Sequence, residues 1–271
     1  MSFNSQFDIS ELSILLVEPS SMQLKVIANH LAAEGILNIE SAGSGAEAIE
    51  TLKQYQPDLV ISSLYLPDMM ATELVMQIKT TDNLKDIPFM LISSETRFTA
   101  LDPIRQAGVV AILPKPFTHE DLKRALRTSI DFIDPEEIEL DHYEIESVRV
   151  LVVDDSPMAR KHIVKVLNNM GISKITQAND GRQGVEVFSQ SEDAFDLIVT
   201  DYNMPEMDGR ELIQYIRTEM NNSFIPILMV TSEENEVRLN NIQQAGVSGI
   251  CDKPFEPQTV KEMLFRVLDD A

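Results

Sequence analysis

The sequence predicts two α/β domains, each a doubly wound parallel sheet with helices on both faces. Two observations support this prediction. Four segments of the first half recur in the second half in the same order. Within each copy, short apolar runs alternate with amphipathic helical patterns, which is typical of parallel strands joined by crossover helices. The 271 residues suffice for two ordinary domains.

The internal repeat is visible in four pairs of segments. PDLVISSLYLPDM at 57–69 matches FDLIVTDYNMPEM at 195–207, and ILLVEPSSM at 14–22 matches VLVVDDSPM at 150–158. The other matches are 86–95 with 224–233, and 106–117 with 244–255. The offset between copies is 136 residues before residue 45 and 138 from residue 58 onward. A period this long indicates two copies of one domain rather than a solenoid.

The elements of the second copy follow from its apolar pattern. Strands are predicted near 148–153, 174–178, 196–200, 225–230 and 248–251. Helices are predicted near 157–170, 181–190, 209–220, 235–245 and 257–269. The apolar face of the last helix would consist of Val260, Leu264, Val267 and Leu268. Ser156 is expected to cap the first of these helices, with Pro157 as its first residue.

The chain is expected to divide into a first domain at 1–133, a linker at 134–148 and a second domain at 149–271. The linker carries seven acidic residues and no basic residue, which is typical of a solvated connection. The alternative is that the last helix of the first copy continues through EEIEL.

Composition and charge exclude several classes of protein. The net charge of −22 would repel a phosphate backbone, so direct nucleic-acid binding is not expected. No apolar run reaches the ~18 residues of a membrane span, and the N-terminus lacks the pattern of a secretory signal. The single cysteine, Cys251, cannot form an internal disulfide. We therefore expect a cytoplasmic protein with protein partners and no membrane insertion.

Reactive side chains stand at the predicted strand ends of the second copy. Asp154 and Asp155 follow its first strand and Asp201 ends its third, and these strands are neighbours in a doubly wound sheet. Three converging carboxylates repel one another and favour a divalent cation such as Mg²⁺. Thr231 offers a hydroxyl after the fourth strand, and Lys253 offers an ammonium group after the fifth. This set suits transfer of a phosphoryl group to an aspartate.

The second half resembles the receiver domains of two-component response regulators. The resemblance rests on DD at 154–155, D-x-N-M-P-x-M-D-G at 201–209, T-S at 231–232 and K-P-F at 253–255, and it covers essentially all of 149–271. It implies two flavodoxin-like (CheY-like) doubly wound domains, each a five-stranded parallel sheet in the order 2-1-3-4-5. The whole chain is similar to a response regulator with tandem receiver domains.

The resemblance also implies a role for each site residue. Asp201 would be the phosphoacceptor, and Thr231 and Lys253 would bind the phosphoryl group. The groups expected to hold Mg²⁺, or Mn²⁺ as the alternative cation, are Asp154, Asp155, Asp201 and the backbone carbonyl of Asn203. The Lys253–Pro254 peptide bond is expected to be cis. The phosphodonor would be a phosphohistidine on a sensor histidine kinase or a histidine phosphotransfer protein.

The first half has the same scaffold and lacks most of these groups. Its residues at the corresponding positions are Glu18, Pro19, Ser63, Ser93 and Lys115. A proline side chain has no oxygen for a metal, and a serine cannot form an acyl phosphate, so no useful Mg²⁺ site is expected. The first half resembles a degenerate receiver, or pseudo-receiver, with a structural or protein-binding role. The alternative is phosphorylation of Ser63 by an unrelated kinase.

The expected function is that of a response regulator phosphorylated on Asp201. Output would pass through protein contacts, because no DNA-binding or enzymatic module follows the second domain in the sequence. The family's usual output surface would cover 235–269. Ile250 stands where the family usually has an aromatic switch residue, so the relay of activation is left open. Alternatives are a phosphate-shuttling intermediate, a phosphorylation-independent adaptor, and a homodimer that forms on phosphorylation.

No enzymatic activity is expected beyond self-phosphotransfer and autodephosphorylation. The Asp201-x-Asn203 pattern is superficially similar to phosphatases of the haloacid dehalogenase type. Those phosphatases place a second aspartate where this chain has Asn203, which argues against turnover of small phosphoesters. The cognate kinase, the downstream target and the process are not predicted.

Overall fold

The computed structural model describes residues 9–133, 144–191, 194–222, 224–231, 246–255 and 257–265. The chain divides into two compact units, Met1–Pro135 and Glu136–Ala271. This division lies in the acidic segment, and the domain bounds at 133 and 149 stay predictions. Among the helices of the described ranges, none is both long and apolar enough to cross a membrane.

The first unit is a five-stranded parallel sheet with helices alongside it. Its strands are β1 (Ser13–Val17), β2 (Asn38–Ala42), β3 (Leu59–Ser63), β4 (Phe89–Ser93) and β5 (Ala111–Pro114). Its helices are α1 (Ser21–Ala33), α2 (Gly45–Gln54), α3 (Ala71–Thr80), α4 (Phe98–Gln106) and α5 (His119–Ile133). The strands lie in the order β2-β1-β3-β4-β5, and each neighbouring pair is parallel.

The second unit repeats this arrangement. Its strands are β6 (Arg149–Val153), β7 (Lys174–Ala178), β8 (Leu197–Asp201), β9 (Ile227–Thr231) and β10 (Gly249–Asp252). Its described helices are α6 (Pro157–Asn169), α7 (Gly181–Gln190), α8 (Gly209–Thr218) and α9 (Pro257–Leu264). The strand order β7-β6-β8-β9-β10 is again 2-1-3-4-5 within the unit. The predicted fold class is therefore confirmed for both copies.

Several predicted features lie outside the described residues. They are the helix at 235–245, residues 134–143 of the acidic segment, and Val267 and Leu268 of the last helix. The end of the acidic segment is described. Residues Ile145–Ser147 form a 3-10 turn, Val148 is buried, and Ile145 lies beside Gly171. These residues therefore pack on the second unit.

Continuous apolar strands place the ends of β6, β8 and β9 in the interior of the second unit. Every residue of β8 and β9 is buried, as expected for parallel strands covered on both faces. The register pairs Val153 with Thr200 and Asp201 with Val230. The carboxyl ends of these strands therefore meet at one edge of the sheet, where open α/β sheets bind their ligands.

Local signals fix where the neighbouring helices begin. Ser156 accepts a hydrogen bond from the Ala159 N–H, with Pro157 as the first residue of α6, so the predicted cap is confirmed. Asp208 caps α8 in a reciprocal capping box with Glu211. Such caps contribute about 1 kcal/mol each. They fix the directions in which α6 and α8 leave the strand ends.

Gly209 allows α8 to begin directly against the end of β8. A Cβ atom at this position would lie 2.1 Å from the backbone oxygen of Asp201, a separation that the structure could accept only by moving the backbone. The Gly209 N–H also donates to the Tyr202 carbonyl at 2.9 Å. The corresponding residue of the first unit, Ala71, is buried, and its N–H donates to the Leu64 carbonyl at 2.9 Å.

We predict that Gly209→Ala destabilises the second unit by about 1–3 kcal/mol, because the added methyl group overpacks the junction of β8 and α8. Urea unfolding, with hydrogen exchange of the β8 amides as the local probe, measures this change. Gly43→Ala is the control, because its Cβ would lie 3.5 Å from the nearest atom, Oε2 of Glu47. An unchanged unfolding midpoint for Gly209→Ala would contradict the prediction.

Candidate functional site

Three carboxylates meet at the carboxyl edge of the second sheet. Asp154 and Asp155 follow β6, and Asp201 is the last residue of β8. One carboxylate oxygen from each of the three lies within 4.8 Å of the other two. Asp154 and Asp201 are buried, whereas Asp155 is exposed. The cluster is therefore open on the Asp155 side.

Lys253 supplies a buried positive charge to this cluster. Its Nζ lies 2.8 Å from Oδ2 of Asp154 and 3.2 Å from Oδ1 of Asp201. The backbone N–H of Lys253 donates to the Thr231 carbonyl at 2.9 Å, which fixes the start of the segment after β10. One ammonium group thus bridges two carboxylates that are covered from water.

Burial and mutual attraction act in opposite directions on the pKa values of Asp201 and Lys253. It raises the pKa of Asp201 to about 7, with Asp154 adding to the rise and Lys253 opposing it. Burial alone would lower the pKa of Lys253, but the carboxylates of Asp201 and Asp154 outweigh it and raise that pKa. Lys253 therefore stays charged, while Asp201 is held in balance between its two protonation states near neutral pH.

One oxygen of Asp201 has no partner in the described part of the chain. Its Oδ1 accepts from the Tyr202 N–H at 2.8 Å and faces Lys253, whereas Oδ2 is buried without a hydrogen bond. Leaving a buried acceptor unpaired costs about 1–3 kcal/mol. Such an atom is a fitting place for a ligand that arrives from outside the chain.

The donor set suits a hard divalent cation. Carboxylate oxygens are the ligands that Mg²⁺ prefers, and Mg²⁺ keeps several waters when bound by a few carboxylates. Partial desolvation, followed by repulsion from Asp154, raises the pKa of Asp155, and Lys253 offsets this rise only in part. The unpaired Oδ2 of Asp201 and the exposed Asp155 are both consistent with a cation at this edge.

Thr231 and Asn203 also stand at or just after the carboxyl ends of strands in this sheet. Thr231 is fully buried at the end of β9. Asn203 is exposed in the loop between β8 and α8. Ile250 is half-buried in β10 and packs against the core cluster of the second unit. The predicted cis peptide bond between Lys253 and Pro254 is confirmed.

The first unit places different chemistry at the equivalent edge. Glu18 is buried, and its carboxylate accepts a short hydrogen bond from the Ser63 hydroxyl and one from the Ser20 N–H at 2.9 Å. Lys115 Nζ lies 3.1 Å from the same carboxylate and also donates to Gln23. Burial would raise the pKa of Glu18, but these hydrogen bonds and Lys115 lower it overall. The network is satisfied by the chain's own residues.

The sequence patterns missed several contributors to these two edges. Gln23 was not predicted, although it accepts from Lys115 in the first unit. Arg160 was also missed, and its guanidinium donates to the backbone oxygen of Asp154. The Lys115–Pro116 peptide bond is cis, like the Lys253–Pro254 bond. The lysine-proline pair that both copies share was the signal that could have predicted it.

Comparisons with known proteins point to one family. The family model described as "Response regulator receiver domain" matches residues 14–127 and 150–265. A chemotaxis protein CheY homolog of Campylobacter jejuni is 37% identical over 121 residues, which cover 45% of this chain and 92% of that protein.

Solved structures were matched as well. CheY4 of Vibrio cholerae is 35% identical, with a TM-score of 0.41, over 45% of this chain and 98% of that one. A structure described as a "probable two-component system response regulator/GGDEF domain protein" is 21% identical with a TM-score of 0.44. This match covers 96% of this chain and 99% of that one.

The raised pKa of Asp201 predicts a pH-dependent stability in the absence of metal. The pKa is about 7 in the folded state and about 3.9 in an unfolded chain. Between these two pH values, the folded state keeps a proton on Asp201 that the unfolded chain has released. Stability should therefore fall as pH rises from about 4 to about 7, by up to about 1.4 kcal/mol per pH unit.

Urea unfolding in EDTA across this pH range measures the slope. Asp201→Asn removes the titrating group and should flatten the profile. Ser63→Asn, at the matching position of the first unit, should leave the slope of stability against pH as steep as in the wild-type protein. Equal slopes for the wild-type protein and Asp201→Asn would refute the assignment of the raised pKa to Asp201.

Proposed function

The chain belongs to the response regulator receiver domain family, as two CheY-like receivers in tandem, and on this basis we propose that its second unit accepts a phosphoryl group on Asp201. The donor would be a phosphohistidine on a sensor histidine kinase or a histidine phosphotransfer protein. The observation that carries the proposal is the buried Oδ2 of Asp201, which has no hydrogen-bond partner among the described residues. It lies beside one lysine and two further carboxylates.

Asp201 would act as the nucleophile. An oxygen of its ionised carboxylate attacks the phosphorus atom, the bond between phosphorus and the donor imidazole nitrogen breaks, and the electron pair of that bond stays with the imidazole. Lys253 opposes the rise in the Asp201 pKa and so favours the ionised, reactive form. Its ammonium group would then neutralise phosphoryl oxygens, with the hydroxyl of Thr231 as a further donor.

The cation proposed for this site is Mg²⁺, with Mn²⁺ as the alternative. It would be held by Asp154, Asp155, Asp201 and the backbone carbonyl of Asn203. When bound, it supplies positive charge against the phosphoryl oxygens. The chain's own residues orient this arrangement: the Ser156 N–H donates to Oδ1 of Asp154 at 2.8 Å, and Lys253 holds Oδ2 of the same carboxylate at 2.8 Å.

The first unit would work without phosphorylation. At the strand ends that match the second unit's site, the buried carboxylate of Glu18 already pairs with Ser63 and Lys115, and Ser63 stands where the second unit has the carboxylate of Asp201. We propose that it is a pseudo-receiver that modulates the second unit or recruits a partner. The satisfied network favours this adaptor role over phosphorylation of Ser63, because the Ser63 hydroxyl already donates to Glu18.

Output would pass through protein contacts in the cytoplasm, without enzymatic turnover of external substrates. Of the predicted output surface, 235–269, the structure describes 246–255 and 257–265, which contain β10 and α9. Ile250 in β10 lacks the aromatic ring of the usual switch, so a different element would relay activation. A phosphate-shuttling role and a homodimer that forms on phosphorylation stay alternatives, and the downstream target is not identified.

Acetyl phosphate with Mg²⁺ should transfer one phosphoryl group to the wild-type chain, detected by intact mass spectrometry. Asp201→Asn should show none, because an amide cannot form the acyl phosphate. Ser63→Ala is the matched control in the first unit and should be labelled like the wild type. Persistent labelling of Asp201→Asn would rule out Asp201 as the acceptor.

Mg²⁺ should stabilise the second unit, because it would bind the folded carboxylate cluster and not the unfolded chain. At ten times the dissociation constant, the gain is about 1.4 kcal/mol, measured as a shift in thermal unfolding. Asp155→Asn should reduce this shift, whereas Glu18→Gln in the first unit should leave it intact. A full Mg²⁺ response in Asp155→Asn would argue against the proposed ligand set.

A further inference from the structure

His162 connects α6 to the segment that carries Lys253. It is buried on α6, and its Nε2 lies 3.1 Å from the backbone oxygen of Phe255. A carbonyl oxygen only accepts hydrogen bonds, so Nε2 carries the proton in this contact. The imidazole is thus a donor from a helix to a loop 93 residues further along the chain.

The Phe255 carbonyl lies two residues beyond Lys253. On the other side, the Lys253 N–H donates to Thr231, and the Phe255 side chain is buried. The segment 253–255 is therefore fixed at both ends, by β9 before the lysine and by His162 after it. Between these two anchors, Lys253 extends its Nζ to Asp154 and Asp201.

The same helix also holds the carboxylate side of the site. The first turn of α6 is preceded by Ser156, whose N–H donates to Oδ1 of Asp154 at 2.8 Å. Arg160, one turn further on, donates to the backbone oxygen of Asp154. His162 therefore places the lysine segment on the helix that already orients the carboxylate.

The first unit offers an internal comparison. At the offset of 136, the residue matching His162 is Val26, whose side chain has no hydrogen-bond donor and which is 49% exposed. Its lysine, Lys115, pairs with Gln23 and a single carboxylate. At this position of the first helix of each unit, the unit with the carboxylate cluster has histidine and the other unit has valine.

We propose that His162 is a positioning residue that holds the Lys253 segment in register with Asp201 for binding of the phosphoryl group. This inference rests on the proposed phosphoacceptor function of the second unit. His162 itself does not touch the reacting atoms. Its contribution is the hydrogen bond to Phe255, which limits the positions that the Lys253 ammonium group can occupy.

Beryllofluoride with Mg²⁺ is the probe, measured on the full chain by ¹⁹F NMR at saturating Mg²⁺, with Mg²⁺ affinity measured separately by calorimetry. His162→Leu keeps an apolar side chain of similar size and removes the donor. It should weaken beryllofluoride binding about five-fold, as expected for loss of one hydrogen bond of about 1 kcal/mol. Mg²⁺ affinity should change less than about two-fold, because its ligands lie outside the 253–255 segment.

His162→Gln retains an N–H at similar reach and should restore beryllofluoride binding to within about two-fold of the wild type. A merely structural role predicts a different pattern, in which loosening of α6 weakens Mg²⁺ and beryllofluoride binding together and glutamine gives no rescue. That pattern, or wild-type beryllofluoride affinity in His162→Leu, would overturn the proposal.

The same experiment separates this inference from the function on which it rests. If the wild-type protein binds no beryllofluoride, or if Asp201→Asn binds it equally well, the phosphoacceptor proposal fails, and the role of His162 fails with it. If the wild-type protein binds and His162→Leu binds with the same affinity, only the role of His162 fails. His30→Leu, which removes a ring contact with Phe117 in the first unit, is the control and should bind like the wild type.

Discussion

The second unit depends on one buried interaction, the ammonium group of Lys253 between the carboxylates of Asp154 and Asp201. Buried carboxylates at this separation would repel one another, and isolated buried charges are very costly. The lysine offsets only part of this charge, because it pairs with two carboxylates and a third, Asp155, belongs to the same cluster. Three features keep these charged side chains in position. They are the strand register, the capped start of α6 and Gly209 at the start of α8. A site that is short of positive charge is also a site that can gain it from a ligand.

The two copies of the fold place differently balanced charges at the same edge of the sheet. In the first unit, the longer side chain of Glu18 receives hydrogen bonds from Ser63 and Ser20 and pairs with Lys115. These contacts lower the pKa of Glu18, and they provide its carboxylate with partners from within the chain. In the second unit, burial dominates, the pKa of Asp201 is raised, and one oxygen is unpaired. The sheet order is the same in both units, so the difference arises from a few side chains at the strand ends.

Much of this architecture could be predicted from the sequence, because strand-forming apolar runs are local signals. The strand ends brought Asp154, Asp155 and Asp201 together as the alternation of strands and helices requires. The roles of His162 and Gln23 could not be predicted in this way. Each depends on how a helix face is rotated toward a loop more than 90 residues away in the chain, and no periodicity encodes that rotation. The sign of the pKa shift at Glu18 likewise depends on which neighbours reach its carboxylate, and the sequence does not specify them.

The junction between β3 and α3 carries a methyl group that its counterpart in the second unit lacks. Ala71 is buried where the second copy needs Gly209, whose missing Cβ allows the backbone to approach the acceptor strand. An aspartate placed at Ser63 would have Glu18 beside it but no second carboxylate, because Pro19 stands at the position that matches Asp155. A graft of the carboxylate cluster onto the first unit would therefore need changes at Pro19 and Ser63 together, and a single substitution would leave Glu18 paired with Lys115.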